Sequence, residues 1–167
     1  MNSNFLLNLP PDRRGLIHEN DIHRLAELRQ YLDEAFTIDL TKKASAKATN
    51  TSGKAFSAKK AIDDDPETYW ATENGVLEAS LELDFGKPIE VNAILIQEFI
   101  PLGQRVKSFS VDAFINDTFD QVATGATVGN RRIVKFETVK TRRLKIYIEA
   151  KACPLIANIE VYRVQDI

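Results

Sequence analysis

Residues 77–85, Leu77-Glu78-Ala79-Ser80-Leu81-Glu82-Leu83-Asp84-Phe85, alternate strictly between apolar and polar side chains. Successive side chains of a strand point to opposite faces, so this stretch predicts a β-strand with one face buried. Gly86-Lys87-Pro88 follows and predicts a turn. The next segment, Val91–Ile96, is almost wholly apolar, which predicts a central strand that is covered on both faces.

Further strands are predicted downstream, separated by turn-forming stretches at Asn116-Asp117, 125–130 and 151–154. The candidates are Val106–Ile115, Phe119–Ala123, Arg132–Glu137, Arg143–Glu149 and Ile156–Val164. Short strands at this spacing, with no helical pattern between them, are typical of an antiparallel sandwich or jelly roll. The sequence therefore predicts an all-β fold for most of the chain.

The first 36 residues have a different character. The apolar run Phe5-Leu6-Leu7 with Leu9, which two prolines end, predicts a buried strand followed by a loop. From Asn20 to Phe36 apolar residues recur at helical spacing, with Asn20 or Asp21 as the N-cap. Residues 1–36 thus predict a strand–loop–helix unit, residues 37–47 a linker, and residues 48–167 the sandwich.

The composition excludes several classes of function. Lysine and arginine number 22 against 24 aspartates and glutamates, so the chain lacks the basic excess that a nucleic-acid partner requires. Cys153 is the only cysteine, which excludes an internal disulfide and a cysteine-based zinc site. No stretch approaches the roughly 18 consecutive apolar residues of a membrane span, and no export signal is recognised. Neither histidine lies in the predicted sandwich, so no catalytic triad is expected there.

The segment Ala61-Ile62-Asp63-Asp64-Asp65-Pro66-Glu67-Thr68-Tyr69-Trp70 closely resembles the AxDGDxxTxW signature of discoidin domains, also called coagulation-factor C-type domains. Four further landmarks resemble the family in the same order. They are Leu83-Asp84-Phe85-Gly86-Lys87-Pro88, Arg105-Val106-Lys107-Ser108-Phe109, Arg142-Arg143-Leu144-Lys145-Ile146 and Ile159-Glu160-Val161-Tyr162. The resemblance implies a discoidin-like antiparallel β-sandwich, and it implies core packing for Trp70.

The stretch Asn4–Ile17 is similar to the "NxLLNIxPxxxGxI" segment that ends the catalytic barrel of bacterial α-L-fucosidases. This resemblance implies that residues 1–36 are the last strand, loop and helix of a TIM barrel, and that the chain is a C-terminal fragment of such a glycoside hydrolase. The family's catalytic carboxylates lie upstream of the match, so the fragment is expected to be non-catalytic. The resemblance places the parent protein in the periplasm or outside the cell.

The acidic turn Asp63-Asp64-Asp65 predicts a structural calcium site, because neighbouring carboxylates need screening and calcium prefers hard oxygen ligands. By resemblance the ligands are the carbonyls of Lys60 and Ala157 and the side chains of Asp63, Asp65, Thr68 and Asn158. Two positions depart from the family: Asp64 replaces a glycine, where φ > 0 can be required, and Asn158 replaces the usual closing glutamate. The alternative is an ordinary turn in which Asp63 caps backbone donors.

Sugar-binding sites in discoidin-like modules lie on the loops at one end of the sandwich. The corresponding residues here are Glu73, Asn74, Glu98, Phe99 and Arg105. Glu98 and Arg105 would bond adjacent sugar hydroxyls while Phe99 supplies a stacking face. The alternative is that Glu98 and Arg105 form an ion pair that fixes the loop, while Phe99 or Ile100 packs against the barrel.

The leading hypothesis is a non-catalytic carbohydrate-binding or domain-buttressing module of an α-L-fucosidase. Its expected partners are a glycan, with fucose or galactose as the candidate sugars, and the catalytic domain of the parent. The competing hypothesis is a discoidin domain that binds proteins or membranes through apolar loop spikes. Such spikes need two or more exposed large apolar residues beside basic ones, and the candidates are Phe99, Ile100 and Leu102 beside Arg105 and Lys107.

Overall fold

The computed structural model describes residues 6–165. One α-helix, α1 (Glu19–Phe36), precedes seven strands: β1 (Ser45–Ala48), β2 (Trp70–Ala71), β3 (Glu78–Glu98), β4 (Val106–Ile115), β5 (Thr118–Gly125), β6 (Arg132–Ala150) and β7 (Leu155–Tyr162). Every strand pairing is antiparallel, in the order β2-β7-β3-β6-β4-β5, with β1 added on β3. The predicted all-β antiparallel architecture is confirmed.

β3 and β6 bend at the same place, so each of the two strands contributes one half to each layer of the sandwich. The predicted strands on either side of Gly86-Lys87-Pro88 are halves of β3, and Arg132–Glu137 and Arg143–Glu149 are likewise halves of β6. The register between β3 and β6 shifts between Asp84 and Ile89, where Gly86 adopts a positive φ of 78°. The predicted turn is therefore a bulge that bends a continuous strand, because β6 bends with it and keeps the pairing on both sides.

We name the two layers by their inner strands. The β4 sheet contains β1, residues 78–84 of β3, residues 143–150 of β6, β4 and β5, and the β7 sheet contains β2, β7, residues 89–98 of β3 and residues 132–141 of β6. Their inner faces form one core, whose fully buried members include Leu81, Leu144, Ile94 and Ile159. Trp70 is buried in this core, as expected, and its indole Nε1 donates to the Asn50 carbonyl at 3.0 Å.

The last turn of α1 packs on the outer face of the β7 sheet. Ala35 and Phe36 contact a small cluster with Leu95 and Val164, and the Phe36 ring meets Tyr162 edge-on at a centroid distance of 5.1 Å. The buried side-chain amide of Asn92 holds the segment after β7. Its Oδ1 accepts from the Val164 N–H and its Nδ2 donates to the Val164 carbonyl, both at 2.7 Å. The helix therefore docks on the sandwich through its C-terminal part, while Ile22, Leu28 and Leu32 of its apolar stripe are exposed.

Two expectations for the first 36 residues need correction. The predicted strand at residues 5–9 is not formed by residues 6–9, which are irregular, with Leu6 92% exposed, whereas Phe5 lies outside the described residues. A strand needs a neighbour for its backbone groups, and no described strand runs beside this segment. The helix prediction is accurate to one residue, but its N-cap is His18, whose Nδ1 accepts from the Asn20 N–H.

The predicted linker, residues 37–47, contacts the sandwich. It contains a short 3-10 helix, Leu40–Lys43, and the first residues of β1. The Asp39 carboxylate caps this 3-10 helix at Thr41 and also accepts a hydrogen bond from the Val161 N–H of β7 at 3.2 Å. These contacts fix the path of the chain between α1 and the first strand.

Candidate functional site

The bend brings both ends of β3 to the same end of the sandwich. At the start of β3, the Ala150 N–H of β6 donates to the Leu77 carbonyl. Ala150 pairs with Val106 of β4, and the Val106 N–H in turn donates to the side chain of Glu98, the last residue of β3. The loops 72–77, 99–105, 126–131 and 151–154 therefore meet at this end, which we call the loop end.

Glu98 is the buried centre of the loop end. It is 1% exposed, and its Oε1 accepts from the N–H groups of Arg105 at 2.7 Å and Val106 at 2.8 Å. Its Oε2 accepts from the Gly129 N–H at 2.7 Å. The predicted role of Glu98 in contacting a glycan is therefore wrong, because both carboxylate oxygens are enclosed and bonded to the backbone of two loops.

Arg105 fixes a third loop. Its guanidinium donates to the carbonyl of Cys153 at 3.0 Å and to the Cys153 Sγ at 2.8 Å, with a longer bond of 3.3 Å to the Leu102 carbonyl. Its contact with Glu98 uses the main-chain N–H, so the alternative of an ion pair between the two side chains is also wrong. Arg105 remains half-buried at the surface of the loop end.

Three aromatic rings form a half-buried row beside these loops. Phe99 stacks on Tyr69 with a centroid distance of 4.3 Å and an interplanar angle of 26°, and Tyr69 contacts Phe56 at 5.1 Å. Sequence reasoning identified Phe99 but missed Tyr69 and Phe56. Tyr69 immediately precedes β2, whose two residues, Trp70 and Ala71, are both buried, so no alternation in the sequence marks Tyr69 as lying outside the core.

The two polar residues predicted after Trp70 are exposed at the same end. The Glu73 N–H donates to the Asn50 Oδ1 at 2.8 Å, and the Asn50 Nδ2 donates back to the Glu73 carboxylate at 3.2 Å. Asn74 follows and is exposed. The loop end therefore presents Glu73, Asn74 and part of Arg105 near the Phe99 row, while Glu98 lies beneath them.

The acidic turn is organised around the Asp63 carboxylate. This carboxylate accepts from Lys60 Nζ at 3.0 Å, from the Thr68 hydroxyl at 2.9 Å and from the Asp65 N–H at 3.2 Å. Burial on its own raises the pKa of Asp63, but the bonds from Lys60 and Thr68 outweigh it and hold the pKa below its usual value. Asp64 adopts the expected positive φ, 61°, and its carboxylate pairs with Lys42.

Three of the other predicted metal ligands line a cavity of about 390 Å³ between the acidic turn and β7, whereas Lys60 and Thr68 are not among its lining residues. Asp65, Ala157 and Asn158 line it together with Arg131 and Glu160. The Asn158 Nδ2 donates to Glu160 at 2.6 Å, which leaves its Oδ1 buried and without a hydrogen-bond partner among the described residues. An orphaned buried carbonyl oxygen beside a carboxylate is an arrangement that a hard cation would complete.

The predicted ligands therefore have the oxygen atoms that calcium prefers, but the Lys60 ammonium competes with the ion for Asp63. Asp63, Asp65, Thr68 and Asn158 have side-chain oxygen atoms, and Ala157 lines the cavity beside Asp65 and Asn158. The Lys60 ammonium, however, already neutralises Asp63, so calcium would have to displace it. Within residues 6–165 no cluster of three or more histidine, cysteine, aspartate or glutamate side chains is placed to hold a metal.

The only helix of appreciable length there, α1, is not apolar enough to cross a bilayer.

Comparison with known proteins places these features in a family. The model of the F5/8 type C domain matches residues 43–159. "Alpha-L-fucosidase 1" of Arabidopsis thaliana is 33% identical over 165 residues, a match that covers 95% of this chain and 33% of that protein. The chain thus spans about a third of the length of the curated relatives it matches.

Solved structures show the same relationship. A protein assigned as an alpha-L-fucosidase from Bacteroides thetaiotaomicron is 35% identical with a TM-score of 0.90, and the match covers 96% of this chain and 36% of that chain. A GH29 fucosidase from Ruminococcus gnavus, solved in complex with fucose, is 30% identical with a TM-score of 0.90 and matches over 96% of this chain and 34% of its own. The relatives thus include plant and bacterial proteins. With its signature turn, its sandwich and this match, the chain belongs to the F5/8 type C domain family.

Proposed function

We propose that the chain is the carbohydrate-binding accessory module of an α-L-fucosidase and that it performs no chemistry itself. The relatives named as fucosidases match over 95% and 96% of the chain, which supports a place beside a fucosidase catalytic domain. The observation that carries the binding role is the row Phe99–Tyr69–Phe56 next to exposed polar groups at the loop end. Aromatic faces beside a few oriented polar groups are what a sugar ring requires.

The proposed sugar site combines one apolar and one polar component. Phe99 offers a ring face to the C–H groups of a pyranose, and Glu73, Asn74 and Arg105 offer hydrogen bonds to its hydroxyls. Fucose and galactose are the candidate sugars, and the R. gnavus relative was solved with fucose. Glu98 takes no direct part, but it holds the loops that present these groups.

Replacing Phe99 with alanine is expected to weaken binding of fucose or galactose by about fivefold, since the stacked contact is worth about 1 kcal/mol. Titration of the ¹⁵N-labelled chain with each monosaccharide measures this through the amide shifts of Glu73, Asn74 and Arg105. Phe119→Ala, which removes an equally half-buried ring from the β4 sheet, is the matched control and should bind like the wild type. Equal binding by the wild type and Phe99→Ala would rule out the stacking site.

The loop end does not favour the membrane-binding alternative. Among the three candidate spike residues only Leu102 is exposed, at 50%, while Ile100 is half-buried and Phe99 is covered on one face by Tyr69. Membrane spikes need at least two exposed large apolar side chains. The same residues are better explained by a sugar-binding end.

A buttressing role is supported by the apolar stripe of α1. Ile22, Leu28 and Leu32 are 53%, 42% and 44% exposed, although their spacing is that of a packed helix face. An exposed apolar stripe of this kind marks an interaction surface. We assign it to the catalytic domain of the parent fucosidase, to which α1 is the nearest connected element.

If this assignment is correct, the isolated chain should self-associate, because the stripe then has no partner. Sedimentation velocity is expected to show an increasing sedimentation coefficient as the protein concentration rises. The double variant Ile22→Glu/Leu28→Glu should remain monomeric, while Arg24→Glu, on an exposed position of the same helix, should self-associate like the wild type. A wild-type chain that stays monomeric at all concentrations would contradict an uncovered docking face.

We further propose that the acidic turn binds calcium through Asp63, Asp65, Thr68 and Asn158, with carbonyls from Lys60 and Ala157. The ion would neutralise the turn and connect it to β7, which stabilises the fold next to the loop end. The orphaned Asn158 Oδ1 supports this assignment.

A further inference from the structure

The outer face of the β4 sheet contains a groove that the proposed loop-end site does not use. The groove has a volume of about 590 Å³ and runs across β3, β6, β4 and β5. It lies on the opposite side of the sandwich from α1, which packs on the outer face of the β7 sheet. A partner domain that covers α1 would therefore leave this groove open.

Tyr147 stands in the middle of the groove with unusual neighbours. In the register of the sheet it lies between Ser80 of β3 and Ser110 of β4, and Ser110 is followed by Thr124 of β5. An aromatic residue on a sheet usually packs against large aromatic or β-branched neighbours across the strands. The serines on both sides are too short to cover the ring, the Lys145 Nζ lies 5.8 Å from its centroid, and Tyr147 is 43% exposed.

Hydroxyl groups surround this ring. Thr49 lies beside Ser80, where the Thr49 Oγ1 accepts from the Ser80 N–H at 2.9 Å and the Thr49 N–H donates to the Ser80 carbonyl at 3.0 Å. Because Ser80 and Ser110 belong to paired strands and Thr49 is bonded to Ser80, these groups are already ordered before a ligand arrives. A partly exposed aromatic ring beside fixed hydroxyls matches the apolar face and the hydroxyl edges of a sugar ring.

One end of the groove carries an oriented carboxylate. Glu149 accepts from Lys107 Nζ at 2.5 Å and from the Ser108 hydroxyl at 2.7 Å, and these bonds hold its pKa below the usual value. Glu78 pairs with Glu149 across the strands, so this end has two carboxylates and one ammonium. The net negative charge disfavours uronic and sialic acids, and it favours a neutral saccharide.

We propose that this groove is a second saccharide-binding site that takes a neutral oligosaccharide, with one sugar ring stacked on Tyr147 and its hydroxyls bonded to the half-buried Ser110 and Glu149. The site goes beyond the proposed loop-end function and depends on it only for the choice of probe. Because fucosidase relatives suggest fucosylated glycans, the probes are the neutral 2′-fucosyllactose and lacto-N-fucopentaose I, with 3′-sialyllactose as the anionic comparison.

Titration of the ¹⁵N-labelled full chain tests the proposal. Both neutral probes are expected to shift the amides of Ser80, Ser110 and Tyr147, and 3′-sialyllactose should shift them less. Tyr147→Ala is expected to weaken the groove response about tenfold, since it removes the stacking face, whereas Tyr147→Phe should retain it. Ser110→Leu, which fills the groove beside the ring, should abolish it. Unchanged melting temperatures confirm that the variants are folded.

The outcomes separate this proposal from the loop-end site. Shifts confined to Glu73, Asn74 and Arg105 would overturn the groove and leave the proposed function intact. Shifts confined to the groove would overturn the loop-end site instead. A groove response that survives both Tyr147→Ala and Ser110→Leu, or no response to either neutral probe, would likewise overturn the proposal.

Discussion

Glu98→Ala is expected to lower the free energy of unfolding by about 3–5 kcal/mol, the largest effect among the substitutions considered. The substitution leaves three backbone N–H groups, those of Arg105, Val106 and Gly129, without their acceptor in a buried place. Each unsatisfied buried donor costs about 1–3 kcal/mol, and water that enters the loosened loops recovers part of the sum. Urea unfolding monitored by Trp70 fluorescence measures the change.

Two further variants identify the cause. Glu98→Gln keeps the volume but places an N–H group against at least one backbone donor, so an intermediate loss of about 1–3 kcal/mol is expected. Glu137→Ala, at an exposed position of β6, is the control and should stay within about 0.5 kcal/mol of the wild type. Hydrogen exchange at the Arg105, Val106 and Gly129 amides should accelerate selectively in Glu98→Ala. If Glu98→Ala were as stable as the wild type, the carboxylate would not be what holds these loops.

Calcium is expected to raise the stability of the metal-free chain by about 2.7 kcal/mol when its concentration is 100 times the dissociation constant. The gain arises because only the folded chain brings the acidic turn and Asn158 to one cavity. The melting temperature should therefore rise with calcium and return to its starting value with a chelator. Asp63→Ala and Asp65→Ala should lose this response, and Glu137→Ala should keep it.

Lys60 provides a sharper test of the same site. Its ammonium is bonded to Asp63, so Lys60→Met removes the group that calcium must displace. The variant should be less stable without calcium and should bind calcium more tightly than the wild type. In an ordinary hydrogen-bonded turn, Lys60→Met would lose stability and gain no calcium response. If the melting temperature of metal-free wild type changed with neither calcium nor chelator, the proposed calcium site would be contradicted.

The fold was largely predictable because its strands alternate cleanly, and the errors have identifiable causes. Gly86-Lys87-Pro88 indicates a break in the strand, but whether a break reverses the chain or bends it depends on the partner strand, which bends in the same place. The short run at residues 6–9 has the composition of a buried strand, yet burial requires a sheet, and the described strands provide no place for it.

The candidate site was less predictable, and Glu98 shows why. The resemblance to discoidin-like modules assigns Glu98 to a sugar-binding loop, and charged residues are rarely buried. The period of two in a β-strand indicated the burial of Glu98 correctly. Ile94, Ile96 and Glu98 lie two residues apart, and the first two face the core. The donors that compensate the buried carboxylate come from positions 105, 106 and 129, and no local pattern reveals such distant contacts. The exposed position of Tyr147 could not be predicted, because its serine neighbours belong to other strands.

The contact between Phe36 and Tyr162 also has a mechanical consequence. The chain enters the sandwich after α1 and leaves it at Val164, and both points lie in one cluster on the β7 sheet. Tension applied between α1 and the residues after Val164 would pull at this single corner, across the Phe36–Tyr162 contact and the Asn92 amide. The long ladder between β3 and β6 would carry little of that load. The sandwich would thus be held at a single contact site, and the contacts at this site would break before the sheets unfolded.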